Sequence, residues 1–307
     1  MDLRTYDEVD PEAVAWLNRV ALGYDLSPAR VTKARRLDPR VPPEFAWYTC
    51  EDGRPVAQVA YLLLPVRTTK GREIAGGIAA VCTLPEAIRR GHAQTLMRHI
   101  HALLRERGVD LGILATGRAR VAYGMYGSLG YQDLVRFRLA CGRLPPWRGR
   151  SLRARPLRAS DRDGIHRAFE RRVRGALGFV ERPGNLVGLR EAWGDVAPKE
   201  VRALLRDGRM EGYAWCRRGP PLEIEELVAP SARRLAWTAR VSRGKEFSML
   251  LSPRDPAGPF EVAELQVLES WGVLMAVDLT GRRSARGLRR LLGVDEGRFE
   301  ALALDLF

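Results

Sequence analysis

Four cysteines, four histidines and four lysines are thin resources for a chain of 307 residues. Cys50, Cys82, Cys141 and Cys216 lack the close pairing that holds zinc and are too few for a disulfide framework. His92, His99, His101 and His166 form no zinc signature either, so no metal is expected. Long apolar runs are missing as well. The uncharged apolar run at residues 56–66 falls well short of the about 20 residues of a membrane helix and carries Gln58 and Pro65. Nothing reads as a signal peptide. These absences point to a reduced, cytoplasmic, metal-free protein without a membrane partner.

What the chain does have is arginine and apolar side chains. Basic residues number 51 against 37 acidic, giving a formal net charge of +14. That excess creates a positive surface potential that attracts phosphates and other anions. An apolar fraction of 46% excludes a disordered chain, and the length suffices for two ordinary domains.

Residues 141–150, Cys-Gly-Arg-Leu-Pro-Pro-Trp-Arg-Gly-Arg, interrupt helical and strand periods alike and mark a boundary. They divide the chain into domains of residues 1–142 and 151–307. Both halves open with a short strand and then a helix, with Asp10 and Ser160 as N-caps, so a weak internal repeat is expected. In the first half the pattern predicts helices over residues 11–22 and 28–37 and strands over 45–50, 56–66 and 72–83. An amphipathic helix over 89–107, a strand at 111–115, a short helix at 119–129 and a strand at 131–140 follow. Ala93, Leu96, Met97, Ile100, Leu103 and Leu104 recur in the long helix at three- and four-residue spacing. The second half repeats this order loosely: helices at 162–173, 185–193 and 199–205, strands at 210–216 and 222–228, and a helix at 231–242. Strands are expected at 247–251, 272–279 and 299–307. The fold class is α/β (α+β), with two tandem mixed-sheet modules.

Chemistry concentrates after the strand that ends at Thr83. Pro85 and Glu86 turn the chain, and a helix opens around Arg89, Arg90, Gly91, His92 and Ala93. Amides at a helix start lack internal partners and bind anions. Gly91 and Ala93 are small enough for a pyrophosphate to sit on those amides. Arg89 and Arg90 oppose the helix dipole unless an anion lies between them. An ordinary strand-to-helix turn is the bland alternative. A second stretch, Tyr123-Gly-Met-Tyr126-Gly-Ser-Leu-Gly130-Tyr131, follows at a fixed interval.

Together the two stretches resemble the motifs of the GNAT superfamily of acyl-CoA-dependent N-acyltransferases, a phosphate loop followed by a short helix ending in Tyr-x-x-x-Gly-Tyr. The likeness covers most of residues 1–140. Where that family has Arg or Gln at the first place of the loop, this chain has Ile88. The tandem second half, with Arg155-Pro156, Gly212-Tyr213-Ala214 and Ser252-Pro253-Arg254-Asp255-Pro256, further resembles the enhanced-intracellular-survival acetyltransferases. Those carry a third, sterol-carrier-like domain. Too few residues follow Pro259 for it, so at most a remnant at residues 271–307 is expected in its place.

The resemblance implies acetyl-CoA as co-substrate, no metal, and a small-molecule or protein amine as acceptor: a polyamine, an aminoglycoside-like compound or a protein lysine. Val81, Cys82 and Thr83, at a frayed strand end, would offer backbone to the thioester and its pantetheine arm. Arg89, Arg90, Gly91, His92 and Ala93 would hold the diphosphate. A departing thiolate has a conjugate acid of pKa roughly 8.5, so a phenol of pKa about 10 can return its proton, and Tyr126 matches the family's acid. Its bland alternative is a buried core tyrosine. By the same resemblance, the chain-terminal carboxylate of Phe307 is a candidate base and Asp25 a residue that binds cationic amines. Glu44 is a further acidic candidate. In the second half Leu235 stands where the loop glycine would be, so this degenerate module is expected to bind no cofactor and to shape the acceptor cleft.

Two other classes compete. A nucleic-acid-binding or RNA-modifying protein is motivated by the arginine runs at 167–174 and 282–290. A CoA-binding regulator would bind without turnover. The arginine-rich faces, with the resemblance, leave assembly into a homo-oligomer open.

Overall fold

The computed structural model describes residues 1–302 except Glu264. The first half contains β1 (Asp2–Thr5), α1 (Pro11–Leu22), α2 (Pro28–Leu37), β2 (Ala46–Glu51), β3 (Arg54–Thr68), β4 (Gly71–Thr83), α3 (His92–Glu106), β5 (Leu111–Gly117), α4 (Val121–Ser128) and β6 (Gln132–Arg143). The second contains β7 (Leu152–Pro156), α5 (Arg162–Val173), α6 (Leu186–Trp193), β8 (Val201–Arg206), β9 (Arg209–Arg217), β10 (Leu222–Val228) and α7 (Arg234–Ser242). It continues with β11 (Glu246–Leu251), α8 (Gly258–Val262), β12 (Gln266–Asp278) and α9 (Ala285–Leu291).

Local signals set most boundaries. The Asp10 carboxylate accepts from the Glu12 amide, Pro11 opens α1, and Gly23 closes it in the left-handed region. Ser160 instead lies inside a one-turn 3-10 helix, Ala159–Asp161, where the Asp161 carboxylate accepts from the Arg158 amide. The helix expected over 199–205 is strand β8, paired with β7 and β9. Its six residues are too short a run for periodicity to separate helix from strand, and the sheet neighbours decide. Of the strand expected at 299–307, the described part forms a bridge between Leu177 and Phe299.

The strands make one twelve-stranded sheet in the order β1-β2-β3-β4-β5-β12-β6-β11-β10-β9-β8-β7. Each half contributes an antiparallel meander of four strands and then a strand parallel to the last of them, β5 to β4 and β11 to β10. Helices α3 and α7 make these two crossovers. The halves then trade strands. β12 lies antiparallel between β5 and β6, while β6 pairs with β11 of the other half. The strand that closes the first half in sequence therefore does not touch β5. Pairings across more than a hundred residues leave no trace in local periodicity.

Both faces of β12 are buried. Val273, Met275 and Val277 join the cluster under α3, with Leu96, Met97, Ile100 and Leu104. Leu274 and Ala276 join the cluster on the opposite face, with Leu111, Ile113 and Phe137. A strand covered on both faces reads as a continuous apolar run, which 273–277 is. Burying Val273, Leu274, Met275 and Val277 contributes roughly 6–12 kcal/mol at about 1.5–3 kcal/mol each, comparable to a domain's net stability. Gly76 lets α3 approach β4 closely, since a Cβ there would meet Leu104 Cδ1 at 2.4 Å.

Candidate active site

The sheet opens between β4 and β5. These parallel strands pair only over Ala75–Leu111, Gly76–Gly112 and Gly77–Ile113, and then diverge. β3 covers the other edge of β4, and β12 covers the other edge of β5. The main-chain groups of residues 78–83 and 114–117 that face each other therefore line a wedge instead of a ladder.

A bulge re-aims β4 inside the wedge. Gln58 pairs with Cys82 and Ala60 with Ala79, so Ala80 and Val81 together oppose Val59. Ala80 takes φ +47°, an uncommon value for a side chain with a Cβ. Gln58 Nε2 donates to the Ala80 carbonyl at 3.1 Å, and the Gln58 carbonyl accepts from Asn18 Nδ2 at 2.9 Å. Asn18, on the buried face of α1, also donates to the Val14 carbonyl. This buried amide pair fixes the strained turn, and strain held in this way marks functional sites. Replacing Gln58 with leucine is expected to cost about 1–3 kcal/mol of stability through the orphaned carbonyl. Displacement of the bulge should lower kcat about ten- to a hundredfold with KM for the acyl donor little changed. Steady-state kinetics on the folded variant check this, and an unchanged kcat removes the bulge from the site.

The loop after β4 leads into the start of α3. Arg89 and Gly91 both have positive φ, +63° and +83°. No side chain caps the fifteen-residue helix, and its first internal bond runs from the Thr95 amide to the Gly91 carbonyl. The amides of His92, Ala93 and Gln94 are thus free for an anion, reinforced by the positive end of the helix dipole. Arg89 is exposed and makes no ion pair among the described residues. Arg90 is committed elsewhere, forked onto Glu51 at 2.9 and 3.0 Å and onto the Glu86 carbonyl at 2.7 Å. His92 turns its ring inward, 3% exposed, with Nε2 3.1 Å from the same Glu51. What His92 presents outward is its backbone.

From the wedge a cavity of about 410 Å³ runs past Ala79, Ala80, Val81, Leu114, Ala115 and Tyr126 toward β2 and α6. Tyr126 is 5% exposed, and its hydroxyl makes no hydrogen bond to the described residues. Burial pushes its phenol up to about 12, partly offset by the Arg120 guanidinium. The other phenols of the motif are occupied. Tyr131 is buried against His101 Nε2 at 3.0 Å, and Tyr123 donates to Asp133. Burial lowers His101 to about 4, so it serves as a neutral partner. Cys82 is packed among apolar side chains, and burial raises its thiol to about 12, which suits packing and not nucleophilic attack. Thr83 is half-buried at the wedge's outer end.

The far end of the cavity is built by both halves. Tyr24 donates to Asp195 Oδ1 at 2.9 Å and to the Trp193 carbonyl, and Arg190 pairs with Asp195 at 3.2 Å. Arg40 forks onto Asp38, both buried, and Trp193 Nε1 reaches the same carboxylate at 3.4 Å. Asn18, Gln58, Trp193 and Asp195 escaped the sequence reading. A polar residue on the apolar face of α1 and another inside the run 56–66 were the available signals for the first two. Nothing local signals the α6 wall.

Asp25 lies away from the cavity wall, exposed and paired with Arg19 and Arg30 at 3.2 and 3.7 Å. Glu44 pairs with Arg107 and is likewise off the wall. Phe307 lies outside the described residues. At the start of α7, Glu211 accepts from the Arg233 guanidinium and from Trp237 Nε1. Among the described residues no cluster of three metal-ligating side chains occurs, and no helix is long and apolar enough to cross a membrane.

An elongated ligand with a diphosphate at one end and amide groups along its arm fits this arrangement. The free helix amides and exposed Arg89 have the chemistry that an anion requires, and the unpaired strand edges the chemistry that an amide-bearing arm requires. Residues 2–133 match the family model described as an acetyltransferase (GNAT) domain. Among solved structures, a GCN5-related N-acetyltransferase from Kribbella flavida is similar over 90% of this chain and 70% of its own, with 21% identity and a TM-score of 0.64. Eis1 from Mycobacterium abscessus is similar over 91% and 74%, at 14% identity and a TM-score of 0.60. An acetyltransferase candidate from Pyrococcus horikoshii is similar over 100% and 95%, at 16% identity and a TM-score of 0.55. No curated protein matches the sequence.

Proposed function

We propose, from the premise that residues 2–133 are a GNAT acetyltransferase domain, that the protein transfers an acetyl group from acetyl-CoA to a primary amine by direct attack. The observation that carries this reading is the wedge between β4 and β5, with uncapped α3 at its mouth and Tyr126 on its wall. Acetyl-CoA supplies the activated acyl group. Backbone amides of Gly91, His92 and Ala93, with Arg89, hold the diphosphate, while Arg90 braces the loop through Glu51. Main-chain groups of Val81, Cys82 and Thr83 bond the arm, and the bulge turns an N–H toward the carbonyl oxygen that gains negative charge. The amine must arrive as free base. As the C–N bond forms and the C–S bond breaks, the Tyr126 hydroxyl gives its proton to the departing sulfur. The proton shed by the attacking nitrogen passes to solvent, and the Tyr126 phenolate is reprotonated from solvent before the next turnover.

Transfer is tested by incubating the protein with acetyl-CoA and primary amines and following free thiol and acetylated product. The pH profile is a sharper check. A phenol raised to about 12 stays protonated across the working range, so its acid form is not lost as the amine deprotonates. The rate should climb with pH as the amine becomes free base, with no falling limb below about pH 11. A bell with a descending limb near pH 8–9 would assign the acid to another group.

A further inference from the structure

Two acids stand out in the sequence as receivers of a cationic amine, Asp25 and Glu44, and neither faces the cavity. Each is neutralised by arginine, Asp25 by Arg19 and Arg30, Glu44 by Arg107. Among the described residues the cavity wall carries one carboxylate, Asp195, already bonded by Tyr24 and Arg190. Three arginines line the same space: Arg40 is forked onto Asp38 and Arg190 paired with Asp195, so those two carboxylates are spent within the protein, and Arg120 adds a positive charge. Leu26, Phe45, Tyr48, Leu62 and Trp193 give the wall an apolar and aromatic face, and the Asn18 and Gln58 amides on it are spent on each other and on the Ala80 carbonyl. Phe45 and Trp193 bring their rings to 6.3 Å in a tilted arrangement.

A polyamine or aminoglycoside entering such a space would desolvate several ammonium groups and find no open carboxylate for them among the described residues, with Arg120 of the same sign on the wall. A single amine on an aromatic or branched apolar body meets none of these costs. It buries its body against Phe45, Tyr48 and Trp193 and needs only one nitrogen, uncharged at the moment of attack. We infer that the acceptor is an amphipathic monoamine with an aromatic-sized apolar body, and that α6 selects it through Trp193. This inference rests on the transferase reading above.

The test uses the full chain with saturating acetyl-CoA and two matched series. One series is 2-phenylethylamine and 4-phenylbutylamine; the other is putrescine, spermidine and an aminoglycoside. Acetylated product is followed by mass, and acetyl-CoA binding by calorimetry. The arylalkylamines are expected to show kcat/KM at least tenfold above the polycations. Preference for polycations overturns the inference and leaves the transferase reading standing. Binding of acetyl-CoA without acetylation of any amine overturns both. Trp193→Ala should lower kcat/KM for arylalkylamines about tenfold through KM, with KM for acetyl-CoA unchanged, and Trp193→Phe should recover most of it. Equal loss for every acceptor and for acetyl-CoA would show a structural role for Trp193 and defeat its assignment as the selector.

Discussion

Tyr126→Phe is expected to reduce turnover about a hundred- to ten-thousandfold, the span of a positioned general acid, while the Kd of CoA changes less than twofold. The substitution is structurally mild. The Tyr126 hydroxyl makes no hydrogen bond to the described residues, so its loss orphans no buried group, and the ring keeps its apolar cluster and its edge-on neighbour Tyr131. A melting temperature close to that of the parent protein should therefore accompany the kinetic loss. The variant should keep the rising pH profile at lower amplitude, because the amine's ionisation is untouched. Turnover equal to the parent's would mean that the thiolate leaves without help from this phenol, and that Tyr126 is an ordinary core residue.

The second large effect is expected at Ala93. Replacing it with aspartate adds a carboxylate to the first turn of α3, where the helix dipole welcomes negative charge, so the fold should be as stable as before or slightly more. The same carboxylate would repel a diphosphate on the neighbouring amides. Two unit charges about 4 Å apart near a protein surface repel by roughly 4 kcal/mol, so acetyl-CoA affinity should fall by about a hundredfold or more. Stability and binding moving in opposite directions separates this outcome from general damage. Calorimetry with CoA, beside a thermal melt, reads both. Undiminished binding would place the diphosphate elsewhere and with it the whole site.

The legible parts of this molecule are those whose cause lies within a few residues. The loop from Arg89 to Ala93, the stripe that buries Leu96, Met97, Ile100 and Leu104, and the Tyr126 segment all announce themselves locally. The bulge at Ala80 was hidden, since its stabiliser Gln58 sits 22 residues away and Asn18 a further 40. The acceptor end was hidden more deeply. Tyr24 meets Trp193 and Asp195 across about 170 residues, a contact no periodicity encodes. Asp25 shows the opposite failure: its sequence position fits a cation site, yet nearby arginines claim it.

The traded strands carry a consequence for biosynthesis. When Arg143 leaves the ribosome, the exposed rim of β5 still lacks its neighbour, which arrives only with Asp278. At about 5–20 residues per second, the intervening roughly 135 residues take about 7–27 s. For that interval a growing polypeptide displays a naked strand edge, an invitation to pair with another nascent copy. The swap that welds the finished molecule into one sheet thus makes its youth sticky, and chaperone supply should govern its soluble yield more than its final stability does.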